Sequence, residues 1–186
     1  MSSESNIGVP EMTAEEMQEF ANQVFDVARK GDASMLGRLL EKDLPPNLRN
    51  HKGDSLLMLA SYHGHLDATR VLLEHGADPN TRNDNGQSPL AGAGFKGNLA
   101  MATLLLDHGA EVDATTPDGK TALMMAAMFN RVDIVELLVA RGANPDAQDI
   151  NGVTALSIAQ SMGAQDTPVR LMELMAERDS TSTAYR

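Results

Sequence analysis

Apolar residues recur along this chain in short blocks of two alternating kinds. One kind follows a Ser or Thr directly, as in "SLLMLASYHG", "SPLAGAGFKG" and "TALMMAAMFN". The other has helical spacing, as in "LDATRVLLEHG" and "VDIVELLVARG". In these, Leu66, Val71 and Leu72 align with Val132, Leu137 and Leu138, a buried stripe that Ile134 and Val135 widen. Glycines punctuate the blocks. Gly53, Gly86, Gly119 and Gly152 are each 33 residues apart. So are Gly31, Gly64, Gly97, Asn130 and Gly163, and so are Gly76, Gly109 and Gly142. Three registered series over most of the chain predict a repeat protein.

Each repeated position has a physical reason. The turn glycines follow polar residues, which suits a tight turn with positive φ. Ser55, Ser88, Thr121 and Thr154 come two residues later and suit the N-cap of a short helix. Pro89 then stands at the first helical position, where its missing N–H is harmless. The short helix is expected to end near Gly64, Gly97, Asn130 or Gly163, Asn being the residue other than Gly that best tolerates a left-handed backbone. A second helix follows and ends at Gly76, Gly109 or Gly142, with Pro79 and Pro145 beyond as stops.

Turn, helix, reversal and helix at this period resemble the ankyrin repeat. "GQSPLAGA", "GKTALMMAA", "LLEHGADPN" and "LLDHGAEVD" carry the resemblance, which covers about residues 20 to 178. It implies an all-α ankyrin-repeat solenoid of about five stacked helix-turn-helix repeats with β-turn fingers. One departure stands out. Met58, Ala91, Met124 and Ser157 occupy the place of the family's usual His, so that residue's bond to the neighbouring loop is absent.

The expected domain runs over residues 12–179, with repeats at 12–50, 51–83, 84–116, 117–149 and 150–179. The outer two are caps. "TAEE" reads as a capping box that starts a long first helix at Thr13, ahead of Met17, Phe20, Val24 and Val27. "AQDTP" reads as a lengthened turn and a new helix start, because "ELMAER" follows "ELLVAR" by 37 residues. Residues 1–11 and 180–186 are expected to be disordered tails.

Composition narrows the function. Aromatic residues are 3% of the 186 and Trp is absent, so Ala, Leu and Met must fill the core. With no Cys, disulfides and thiolate chemistry are excluded, which fits a reducing compartment. The first residues have neither a basic start nor an apolar run, so no secretory leader or membrane span is expected, and a cytoplasmic location is. A net charge of −11 with no basic cluster speaks against nucleic acid and anionic membranes. It would steer a partner with a basic face toward the chain, or serve solubility alone.

No motif supports catalysis or a cofactor. His63 and His65 flank a turn glycine without a fixed third ligand, so no metal is expected. "GAGFKG" follows no strand and lacks the Lys-Ser/Thr ending of a phosphate loop. What remains is surface. By the resemblance, the turn tips and the exposed side of each first helix form a concave face that binds proteins. The candidate contact residues are Lys52, Asp54, Tyr62, His63, Asn85, Gln87, Phe95, Lys96, Asp118, Lys120, Met128, Phe129 and Met162. Half of the six aromatics, Tyr62, Phe95 and Phe129, fall there, and with Met128 and Met162 they make an apolar strip.

Two alternatives stay open. The strip either binds a partner or fills gaps between repeats. Gly92 and Gly94, each costing a helix about 1 kcal/mol relative to Ala, either admit a partner or make room for Met124, Met125 or Met128. The functional expectation is a protein-binding module, monomeric when free, acting as inhibitor or adaptor. The alternative is a homo-oligomeric structural subunit that buries the same strip.

Overall fold

A computed structural model of the chain describes residues 12–184. The expected N-terminal tail, residues 1–11, lies outside them, as do residues 185 and 186. The described residues form ten helices: α1 (Ala14–Lys30), α2 (Ala33–Leu40), α3 (Leu56–Tyr62), α4 (Leu66–Glu74), α5 (Pro89–Lys96), α6 (Leu99–Asp107), α7 (Ala122–Met128), α8 (Val132–Ala140), α9 (Ala155–Ser161) and α10 (Thr167–Ala184). The odd-numbered helices pack on one another in chain order, and so do the even-numbered ones, giving two helical layers. The all-α solenoid of five helix pairs is therefore as the repeat predicts.

The local chemistry works position by position. Ser55, Ser88, Thr121 and Thr154 each accept the backbone N–H three residues on, at 3.1 to 3.2 Å. Thr13 and Glu16 close the capping box of α1. Asn130 takes the left-handed backbone at φ 57°, in the series otherwise held by glycine. Within the fingers, Asn50, Asn83 and Asp149 each accept two backbone N–H groups, two and four residues on. These side chains close the turns that the glycines permit.

The core is one buried cluster running from Val24 to Leu171. The stripe of the second helices differs from expectation. Ala68, Thr69, Leu72 and Leu73 of α4, and Ile134, Val135 and Leu138 of α8, are the buried set. Leu66, Val71, Val132 and Leu137 are half-buried at its edges. Leu72, Ile134, Val135 and Leu138 are thus buried as expected, while the stripe as a whole is rotated away from Leu66 and Val71 in α4 and from Val132 and Leu137 in α8. In α1, Val24, Phe25 and Ala28 are buried, whereas Met17 and Phe20 are exposed on the overhanging first turns.

The C-terminal boundary also moves. α10 continues to Ala184, past the expected end at 179. No Gly or Pro interrupts it after Pro168, and the Ser180 hydroxyl donates back to the Ala176 carbonyl at 2.9 Å.

A second ladder, absent from the sequence reading, runs along the loops after the second helices. The Asn47 amide donates to the Gly76 carbonyl and its oxygen accepts from Asp78 N–H, at 3.2 and 2.8 Å. Asn80 repeats this with Gly109 and Glu111, at 3.0 and 2.8 Å. Asp113 stands next in register and accepts from Asn144 N–H, but a carboxylate has no N–H for the Gly142 carbonyl. Two changes test this ladder. Asn80→Ala should lower the unfolding free energy by about 1–2 kcal/mol, and Asp113→Asn should raise it by about 0.5–1 kcal/mol, in urea denaturation.

Candidate interaction surface

The fingers and the first helices share one face, which the turn and helix positions assemble from four neighbouring repeats. A cleft of about 230 Å³ lies on it between α3, α5 and α7. Tyr62, Gln87 and Phe95, three of the expected contact residues, line it together with Met58, Gly92 and Met125. A second hollow, sharing Tyr62 and Gln87, gathers Lys52, Asp54 and Asn85. A third continues past Asn85 and Gln87 to Asp118 and Lys120. On the other side of Tyr62, His63 and Lys96 border a further hollow at the helix reversals.

The structure thus brings together most of the predicted residues, with three departures. Met128 is half-buried and packs against the core. Phe129 is 36% exposed but stands edge-on to Phe95, ring centroids 4.7 Å apart. Met162, 58% exposed, caps α9 and lines none of the four hollows. The expected strip is therefore broken. Phe95 and Phe129 pair with each other across adjacent repeats, and such pairs add about 0.5–1.5 kcal/mol beyond area burial. Tyr62, 48% exposed, instead carries the Lys96 ammonium 4.3 Å from its ring centroid.

Charges on this face are largely spoken for. The Asp54 carboxylate accepts from the Asn83 and Asn50 amides at 2.9 and 3.3 Å. Asp118 is bonded by Lys120 and Thr116, and the Lys120 bond is the main reason its carboxyl titrates below the ordinary range. The same bond raises the Lys120 ammonium. Lys52 and Lys96, in contrast, have no carboxylate within ion-pair distance among the described residues.

The histidines serve the turns. His65 donates from Nε2 to the Arg29 carbonyl at 3.0 Å, over Gly31. The His63 ring lies 6.3 Å from it, near parallel. Desolvation holds His63 below the usual histidine pKa, and the positive neighbours His65, Arg29 and Lys96 add to the shift. Among the described residues no three His, Cys, Asp or Glu side chains gather where a cation could sit. Nor is any described helix long and apolar enough to cross a membrane.

Two elements of this region escaped the sequence reading. The first is Asn130, whose side-chain oxygen accepts from Asp166 and Thr167 N–H at 3.0 Å, so it caps α10 from the preceding repeat. The second is the floor of the cleft. Ala91 and Gly92 stand where the next repeat has Met124 and Met125. The missing His had marked Ala91 as unusual, but the space it leaves needs the neighbouring walls to be seen. The two glycines of α5 also separate. A Cβ on Gly94 would lie 3.0 Å from the Ala122 carbonyl oxygen, a contact tighter than most Cβ atoms make, so the close backbone favours glycine there. The neighbour is the α7 backbone, not the methionines expected. A Cβ on Gly92 would meet only Tyr62 Cδ2, at an ordinary 3.6 Å.

Stacked helix pairs with turn fingers define a class of repeat solenoid, and comparison with known proteins places this chain within it. The profile of ankyrin repeats (3 copies) matches residues 24–116 and 109–181. The chain belongs to the ankyrin-repeat family, whose repeats generally mediate protein–protein interaction. A protein of Pseudomonas aeruginosa that is named as an ankyrin repeat protein is 66% identical over 56 residues, which are 30% of this chain and 33% of that protein.

Two outcomes check this geometry. Gly92→Ala should raise the urea midpoint, by about 0.5–1 kcal/mol in unfolding free energy, whereas Gly94→Ala should lower it. The second concerns pH. The folded state holds the His63 proton less tightly than the unfolded chain, so stability is full above the ordinary histidine pKa of 6.5 and falls as pH drops below it. His63→Gln should flatten that slope between neutral and acidic pH in the same denaturation series.

Proposed function

We propose that the chain is a binding module that docks one protein partner on the face shared by the fingers and first helices. The observation that carries this reading is the cleft beside Tyr62. Apolar walls and an exposed ring meet there, with Lys52 and Lys96, which have no carboxylate within ion-pair distance among the described residues, bordering the adjoining hollows. Aromatic anchors in such hollows carry much of the energy of protein interfaces. A standard interface of about 800 Å² per partner would cover several repeats. Blocking another protein's working surface and bridging an assembly are the two uses that suit a stiff, extended face. The chain's chemistry offers no reacting constellation, and the reading is non-enzymatic. The location we propose is cytoplasmic, and the free chain is proposed to be monomeric.

The charge balance refines the partner. Among the thirteen candidate residues, Lys52, Lys96 and Lys120 stand against Asp54 and Asp118, a sum of 3 − 2 = +1 with histidine neutral, in a chain of −11. A partner with a basic face remains part of the proposal on the strength of the net charge of −11.

Tyr62→Ala tests the reading. The ring is half exposed, so stability should change by no more than about 1 kcal/mol. Retention of a partner from a native extract should fall about tenfold or more. Equal retention by both forms would move the interface elsewhere. Light scattering of the free chain separates the homo-oligomer: a dimeric mass that Tyr62→Ala converts to monomer would favour self-association on the same face.

A further inference from the structure

The cleft exists because the third helix pair is short of side-chain volume. At the two positions where α3 has Met58 and Leu59, and α7 has Met124 and Met125, α5 has Ala91 and Gly92. Met58 and Met125 stand as walls on either side, and Tyr62 and Phe95 complete the rim. Nothing in the backbone demands glycine at 92. Its φ is not positive, and an alanine Cβ would fit. The chain thus keeps a helix-weakening residue at the one place where a larger one would close the hollow.

Volume and charge together describe an occupant. The space of about 230 Å³ exceeds the ~150 Å³ of an apolar cavity that takes up benzene, so one Leu, Met or Phe side chain fits. Methionine walls adapt to its shape. Beside it, Lys96 rests on the Tyr62 ring, and Lys52 borders the adjoining hollow. Neither ammonium meets a carboxylate among the described residues, while Asp54 and Asp118 are already engaged.

We propose that the cleft is the anchor site for a polypeptide segment of the partner that inserts one large apolar side chain beside Gly92 and sets a neighbouring Asp or Glu against Lys96. The inference rests on the protein-binding reading above and adds its chemistry.

Panning of a phage-displayed random peptide library on the immobilised chain tests it. The enriched peptides should share a large apolar residue with an acidic residue close by. Gly92→Leu, which fills the cleft, should weaken them about tenfold or more. Lys96→Glu should weaken them too, and panning on that variant should exchange the acidic residue for Lys or Arg. Circular dichroism melts establish that each variant is folded, and Lys96→Glu, at an exposed position, carries the test should Gly92→Leu not fold. Peptides without this pattern, or peptides that bind Gly92→Leu undiminished, overturn the anchor and leave the protein-binding reading standing. A library that enriches nothing also overturns the anchor. The broader reading then falls only if Tyr62→Ala and wild type retain partners equally.

Discussion

Everything in this molecule depends on how closely successive first helices approach. Ala60, Ala93, Ala126 and Ala159 form a buried column, one per repeat, where α3, α5, α7 and α9 meet. A methyl group at each step sets a short spacing between axes. That spacing lets Leu57, Leu90 and Leu123 interlock above it and lets finger side chains reach their neighbours. No helix pair could bury its apolar side alone, so each repeat is stable only against the next. Gly94 is the extreme case, since there the α5 helix approaches the Ala122 carbonyl itself.

Much of this was legible in the sequence because it is local. Whether Ser88 caps a helix, whether Pro89 begins it, and whether Asn130 can turn left-handed depend on a few neighbouring residues. The period then multiplies each local reading. The parts that were not legible are those in which a side chain acts on another repeat. Asn47 and Asn80 read as loop asparagines until Gly76 and Gly109 stand beside them. Asn130 reads as a turn residue until its amide caps α10. The aromatic strip failed for a related reason. Phe95 and Phe129 sit at surface positions of their own repeats, yet they find each other across the boundary. A cleft made by missing volume at Ala91 and Gly92 is likewise a property of three helices, not of one segment.

The same logic gives the face its character. Most of its polar groups are committed to holding the fingers: Asn83 joins Asp54 to its own turn, and Lys120 neutralises Asp118. What is left free is therefore informative. The exposed ring of Tyr62 with the Lys96 ammonium resting on it, the Lys52 ammonium, which has no carboxylate partner among the described residues, and an open apolar hollow lie within one neighbourhood. Committed polar groups leave little to order on this face, which would reduce the entropic cost of docking for the partner proposed above. The flexible methionine walls supply the adaptability that the stiff turns lack.

The central claim is that this neighbourhood, and no other side of the stack, meets the partner. A photo-cross-linking residue such as benzoylphenylalanine, placed at Tyr62 in one variant and at the exposed Arg70 of α4 in another, tests it in native extract. The account predicts a discrete cross-linked species from position 62 and none from position 70. A species formed from position 70 alone would place the partner on the second-helix layer and contradict it.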